Sequence, residues 1–185
     1  MPSRETVVLL HPGGTDSSAM AVTAAGLEDR FDVRLPDRRH EAFPAMAQAT
    51  VAFLEAETDA PVHLVGHSDG AIVGLLVARA RPDLVRRLVF SSGVHHHSGW
   101  LPGVELEERH HTEPALMPAE LAAIATPTLV MAADEDEMPL EHTIALYRAL
   151  PDADLAIVPG TDHGSLADKP DLCNAMIADF LGAPR

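Results

Sequence analysis

Short apolar runs alternate along the chain with longer stretches in which apolar residues recur every three or four positions. The short runs are Thr6 to Leu10, Phe31 to Leu35, Val62 to Val65, Leu84 to Phe90, Thr128 to Ala132 and Leu155 to Val158. They are apolar on both faces, which predicts strands buried between helix layers and therefore a mostly parallel sheet. The longer stretches predict helices over Ser17 to Leu27, Pro44 to Glu57, Gly70 to Arg81, Glu141 to Leu150 and Pro170 to Leu181, with a short one near Pro118 to Ile124. Several open with Pro or Ser and close near Pro or Gly, as capping chemistry requires. Strand followed by helix, repeated five or six times, is the α/β signature. The expected architecture is a three-layer α/β/α sandwich with a sheet of about six strands, in one domain spanning 1–185. One stretch breaks the alternation. Ser91 to Met117 carries Gly93, Gly99, Gly103, Trp100 and five of the eleven histidines, and reads as an excursion from the sheet that forms a short lid.

Composition narrows the partners more than the fold. With 185 residues, 46% hydrophobic and 22% charged, the chain can bury a substantial core without disulfides or a structural metal. Its formal net charge of -15 repels phosphate backbones and anionic lipid, which argues against nucleic acid and membrane surfaces as partners and leaves small molecules. The arginine pairs Arg38-Arg39 and Arg86-Arg87 read as solvated loop or helix-end charge. Cys173 is the lone cysteine, lies in an amphipathic helix pattern and is expected to be buried packing. Val7 to Leu10 is the only apolar block near the N-terminus and is too short for a signal-peptide core or a membrane span, so a cytoplasmic protein is expected. No pattern speaks to the oligomeric state.

Chemistry concentrates at Gly66-His67-Ser68-Asp69-Gly70, set between the strand run Val62 to Val65 and the helical run from Gly70. A serine on a sharp strand-to-helix turn crowds the residues two places before and after it, so both must be small. The bare pattern is modest evidence; the strand before it and the helix after it make it strong. A serine hydroxyl cannot attack unaided and needs a base in hydrogen-bond reach, with a third group to orient that base. In elbow enzymes these follow in the order Ser, then acid, then His. Asp134-Glu135-Asp136-Glu137 follows one strand run and Thr161-Asp162-His163-Gly164 follows the next, both beyond the carboxyl ends of parallel strands, where open α/β sheets place their sites. The expected set is Ser68, His163 and one acid of the first loop, Asp136 or Asp134, with Asp162 a turn residue. An oxyanion needs preorganised N–H donors. Asp69, just after the nucleophile at a helix N-terminus, supplies one; the loop His11-Pro12-Gly13-Gly14 supplies the other, through Gly13 first and Gly14 second, because Pro12 has no N–H.

Together, His11-Pro12-Gly13-Gly14, Gly66-His67-Ser68-Asp69-Gly70, the Asp136 loop and Thr161-Asp162-His163-Gly164 resemble the α/β-hydrolase superfamily, over residues 6 to 182. Pro36-Asp37-Arg38-Arg39 and Arg81-Pro82-Asp83-Leu84-Val85 belong to the same resemblance. It implies a covalent acyl-enzyme mechanism without a cofactor, and it favours Asp136 over Asp134 as the acid. Two departures stand out. Arg39-His40-Glu41-Ala42 replaces a Gly-His-Gly-like stretch common in the family, and the excursion is much shorter than the usual cap. The resemblance therefore points to a trimmed serine esterase, acting on small soluble carboxylic esters and, next, thioesters. Lactone opening, perhydrolysis, C–C hydrolysis and a non-catalytic binding module remain open on the same fold. His95-His96-His97, Glu105, Glu107, Glu108, His110 and His111 offer metal-ligand types, but consecutive histidines cannot all face one ion, and no metal site is expected. Trp100 reads equally as a pocket wall and as the anchor of a small satellite core.

Overall fold

A computed structural model describes residues 4–37 and 42–183, so the Arg38-Arg39 pair and the His40-Glu41 departure lie outside the described residues. Six strands form one sheet: β1 (Thr6–Leu10), β2 (Asp32–Arg34), β3 (Val62–His67), β4 (Val85–Ser91), β5 (Thr128–Ala133) and β6 (Ala153–Val158). Their order is β2-β1-β3-β4-β5-β6 and every pairing is parallel. The helices are α1 (Ala21–Leu27), α2 (Phe43–Glu57), α3 (Asp69–Ala80), α4 (Pro118–Leu121), α5 (Leu140–Ala149), α6 (Ser165–Asp168) and α7 (Pro170–Gly182). Each predicted strand and helix is present, with ends shifted by a few residues. None of the helices is long and apolar enough to cross a membrane, among the described residues.

Side-chain alternation along the strands builds the three layers. In β1, Val8 and Leu10 face one core with Phe43, Leu54, Leu64, Ile72, Leu88 and Phe90, under α2, α3 and α5. Val7 and Leu9 face the other, with Leu27, Val65, Val89, Met131, Ile177 and Phe180, under α1 and α7. Full burial of a Leu or Ile side chain contributes about 1.5–3 kcal/mol, so the two faces of β1 alone anchor both layers. Cys173 is buried on the second face, as expected.

The arginine reading at the start of β4 needs correction. Arg86 is exposed and pairs with Glu5 at 3.0 Å, but Arg87 is only 7% exposed. Its guanidinium lies over the Phe180 ring and donates to the Phe180 and Ala183 carbonyls at the end of α7. Those carbonyls lie in the last turn of α7 and just beyond it, and they supply the buried cation with acceptors.

Topology decides where a site can form. From β1 the chain steps outward to β2, then returns past β1 to β3 and continues to β6. The crevice where the order reverses lies beyond the carboxyl ends of β1 and β3, which run side by side with Leu10 opposite Gly66. The loop after β1 carries Gly13 and the turn after β3 carries Ser68.

Candidate active site

Steric crowding fixes the turn after β3. A β-carbon on Gly66 would sit 2.2 Å from the Gly70 carbonyl oxygen, and one on Gly70 would sit 1.9 Å from the Leu10 carbonyl oxygen. Only glycine fits at either place. Between them Ser68 is held at φ 54, ψ -120, a region an L-residue enters only when its surroundings force it. Its backbone N–H donates to the Ser91 carbonyl of β4, and α3 starts at the next residue, Asp69. Ser68 and Ser92, at φ 52, are the two non-glycine residues with positive φ among the described residues. Both belong to the same hydrogen-bonded chain.

That chain runs from one loop to the next. His163 Nε2 lies 3.0 Å from Ser68 Oγ, and His163 Nδ1 lies 2.7 Å from Asp136 Oδ1. Asp136 is fully enclosed and accepts on both oxygens: Oδ2 from the Ser92 hydroxyl at 2.7 Å and the Ala133 N–H at 3.0 Å, Oδ1 also from the Glu137 N–H at 2.9 Å. Burial pushes the Asp136 carboxyl up, but the bonds from His163, Ser92 and Ala133 outweigh it and hold it below the usual carboxylate range. Because Asp136 can only accept, His163 carries its proton on Nδ1 and turns a bare Nε2 toward the serine hydroxyl. Burial pulls the imidazole down, yet the Asp136 bond and charge, with Glu137 and Asp162 behind them, set its pKa above the ordinary histidine value.

Asp134, the alternative acid, does something else. Its two oxygens accept from the Gly160 and Thr161 N–H groups at 2.8 and 3.1 Å, which ties the loop after β5 to the loop that carries His163. Asp162 Oδ1 accepts from the Gly164 N–H at 2.9 Å, the turn role expected of it. On the β1 side, a β-carbon on Gly13 would lie 2.3 Å from Asp69 Oδ2, so glycine lets this loop close against the start of α3.

Five side chains around the site were not evident in the sequence. Ser92 holds the free oxygen of Asp136. His67, inside the elbow motif, lies with its ring centre 5.3 Å from that of His163 and bonds Ser91 Oγ. Burial drives the His67 pKa down to about 4, so it supports the imidazole without charge. Glu137 Oε2 is 3.6 Å from His163 Nε2. Arg109 and His110, from the excursion, both bind the Asp69 carboxylate. The elbow spacing could have flagged Asp69 as a polar side chain in a tight place; nothing in the pattern marked its partners.

A cavity of about 220 Å³ opens on Ser68, bounded by Pro12, Gly13, Trp100, Glu137 and His163. Trp100 lines this cavity, the first role offered for it, and packs on the main α2/α3 core where a satellite core was the alternative. Two wider hollows, one along Glu5 and Arg86 and one between α2 and α3, lie away from the serine, and among the described residues neither is lined by Ser, Cys or His. Within the histidine-rich stretch, His95, His96 and His97 each stack on another imidazole. His95 stacks on His142 with ring centres 3.9 Å apart and its N–H donates to His142 Nε2; burial lowers their pKa values to about 3 and about 4. No three His, Cys, Asp or Glu side chains converge as a ligand set among the described residues.

Comparison with known proteins gives a consistent picture. The family model described as alpha/beta hydrolase fold matches residues 6–110. A protein of Caulobacter sp. (strain K31) named as a carbamate hydrolase, RutD, is 26% identical over 243 aligned positions, covering 96% of this chain and 91% of the relative. Among solved structures, the enol-lactonase of Burkholderia xenovorans LB400 superposes with a TM-score of 0.84 at 17% identity, covering 98% of this chain and 92% of that one. The meta-cleavage product hydrolase CumD of Pseudomonas fluorescens IP01 gives 0.83 at 15% identity, covering 97% and 91%. At such identities these structures share the fold.

Proposed function

Because the chain belongs to the alpha/beta hydrolase fold family, we propose that it is a serine hydrolase cleaving small carboxylic esters through an acyl-enzyme, with thioesters next. The observation that carries the reading is the unbroken chain Ser68–His163–Asp136 opening on a cavity. In the mechanism, Ser68 Oγ attacks the acyl carbon while His163 Nε2 takes its proton. The carbonyl oxygen becomes an oxyanion held by the N–H groups of Asp69 and Gly13. At the first position of α3, the Asp69 N–H has no intrahelical acceptor to satisfy and lies at the positive end of the helix dipole. Collapse of the intermediate breaks the C–O bond, and His163 protonates the departing alkoxide. Water then attacks the acyl-serine, losing its proton to His163, and the acid leaves as Ser68 recovers its own. Asp136 keeps the imidazole in the required tautomer throughout.

The small cavity and the short excursion support short acyl chains. The alignment with the Caulobacter relative extends over more positions than this chain has residues, so that relative carries insertions absent here. We read the excursion, residues 91–117, as a minimal lid. Fluorophosphonate labelling with peptide mapping tests nucleophile and oxyanion hole together: modification of Ser68 and turnover of p-nitrophenyl acetate and butyrate are expected. Unlabelled, well-folded protein points instead to a non-catalytic binding module. A second reading, carbamate hydrolysis, is favoured by the relative just described; the same groups would attack a carbamate carbonyl, and a carbamate-to-ester substrate panel separates the two.

The reaction has a predicted pH profile. His163 must be neutral to accept the serine proton, so kcat/KM rises with pH through the His163 pKa, at a midpoint above 6.5. Replacing Glu137 by Gln removes a carboxylate that favours the imidazolium, and the midpoint should move down. A pH series with p-nitrophenyl acetate measures this; an unmoved midpoint would show Glu137 uncoupled from the base.

A further inference from the structure

Asp69 places a carboxylate where the proposed chemistry least tolerates one. Its side chain is 3% exposed, and its Oδ2 would lie 2.3 Å from a β-carbon added to Gly13. It is therefore packed against the loop after β1, at the two backbone segments proposed above to hold the oxyanion. An ionised group there repels the negative charge that develops on the substrate, and low local polarity strengthens the repulsion. We propose that Arg109 is a positioning residue of the oxyanion hole, carried there by the excursion to neutralise Asp69 and hold it against Gly13. The inference rests on the serine hydrolase reading above.

Three observations support it. Arg109 Nη2 is 2.5 Å from Asp69 Oδ2, and it would lie 3.0 Å from a β-carbon added to Gly13, so the guanidinium sits beside the loop after β1 while it binds the first residue of α3. The arginine side chain is 11% exposed, lies over the Phe43 ring and pairs with Glu107. Second, the other partner of Asp69 brings no full charge. His110 Nδ1 accepts the Glu107 N–H at 3.2 Å, so its proton sits on Nε2, which donates to Asp69 Oδ1 at 2.8 Å. The compensating charge is therefore Arg109's. Third, among the described residues the cavity wall holds Glu105, Glu107 and Glu137 and no lysine or arginine, so no other described group on that wall offsets a bare Asp69. Asp69 stays ionised: burial pushes its carboxyl up, but the bonds from His110 and Arg109 bring it below the usual range.

The geometry also gives the excursion a purpose. Arg109 and His110 sit on a single 3₁₀ turn, Glu108–His111, in a stretch otherwise built of short turns and one isolated bridge. Glu113, just beyond, accepts the Phe43 N–H at the start of α2. A segment with little regular structure is thus pinned at the nucleophile and at the neighbouring helix.

Charge removal separates neutralisation from simple bracing. In Arg109→Gln, kcat for p-nitrophenyl acetate is expected to fall about 30- to 300-fold with KM within about threefold, because the loss falls on the transition state. Adding Asp69→Asn to that variant should recover at least about tenfold in kcat, since the uncompensated charge disappears while the backbone N–H remains. Bracing alone predicts that the second substitution recovers nothing. If Arg109→Gln is insoluble, Arg109→Lys, which keeps the charge, should retain kcat within about tenfold of the parent. Arg109→Gln within threefold of the parent, no recovery in the double variant, or a hundredfold loss in Arg109→Lys would each overturn the inference while leaving a labelled, active parent enzyme in place. A parent that neither labels nor turns over ester would remove the hydrolase reading, and this inference with it.

Discussion

Replacing Ser68 by Ala should lower kcat/KM for p-nitrophenyl acetate by roughly 10³- to 10⁶-fold, with little change in folding stability. That range corresponds to about 4–8 kcal/mol of transition-state stabilisation at 1.36 kcal/mol per decade. The size follows from the position of Ser68 at the head of a chain whose other members serve only to deprotonate it. Without Oγ, His163 has no proton to take, and what remains is polarisation of the carbonyl by the Asp69 and Gly13 N–H groups. Folding should survive because alanine keeps the β-carbon and meets the same strained backbone, φ 54, that serine already tolerates. The acceptor left behind, His163 Nε2, belongs to a side chain that is 24% exposed and lines the cavity, where water can donate to it. A thermal shift beside the kinetic assay checks both halves. Less than tenfold loss in a well-folded variant would mean that the ester carbonyl is attacked by something other than Ser68.

The ease with which this serine could be singled out has a physical cause. The elbow is a local steric problem: Gly66 and Gly70 are required by backbone atoms 2.2 and 1.9 Å away, and a five-residue pattern records the solution. The strands were equally legible, since burial on both faces demands continuous apolar runs, and the order β1 to β6 then fixes which loops meet at the carboxyl edge. Contacts made across the fold were not. Arg87 reads as a surface charge until the end of α7, more than ninety residues on, brings carbonyls to it. Asp69 finds Arg109 and His110 forty residues away, in a stretch with no periodicity to announce which side chain points inward. Ser92 is one serine among several until its positive φ and its bond to Asp136 set it apart. Asp134 and Asp136, two residues apart in an acidic loop, could be ranked only by resemblance; their hydrogen-bond partners distinguish them.

Replacing Asp136 by Asn should cost roughly 10³- to 10⁴-fold in kcat, whereas Asp134→Asn should stay within about tenfold. All four groups around the Asp136 carboxylate are donors: the Ser92 hydroxyl and Ala133 N–H at Oδ2, and the Glu137 N–H and His163 Nδ1 at Oδ1. An asparagine must turn its NH₂ to one side or the other. Facing Ala133, the amide sets a donor against a backbone donor, and each buried group left unpaired costs about 1–3 kcal/mol. Facing His163, it opposes the Glu137 N–H and drives the imidazole proton to Nε2, where the ring can no longer accept from Ser68. Either orientation damages the chain, and the second abolishes the base outright. Asp134 accepts only the Gly160 and Thr161 N–H groups and is exposed, so Asn forfeits one of two loop bonds and leaves the imidazole untouched. Parallel kinetics on the two variants therefore identify the acid by the ratio of their losses. A crippled Asp134→Asn beside a nearly intact Asp136→Asn would transfer the role to Asp134 and require the His163 loop to reorganise when substrate binds.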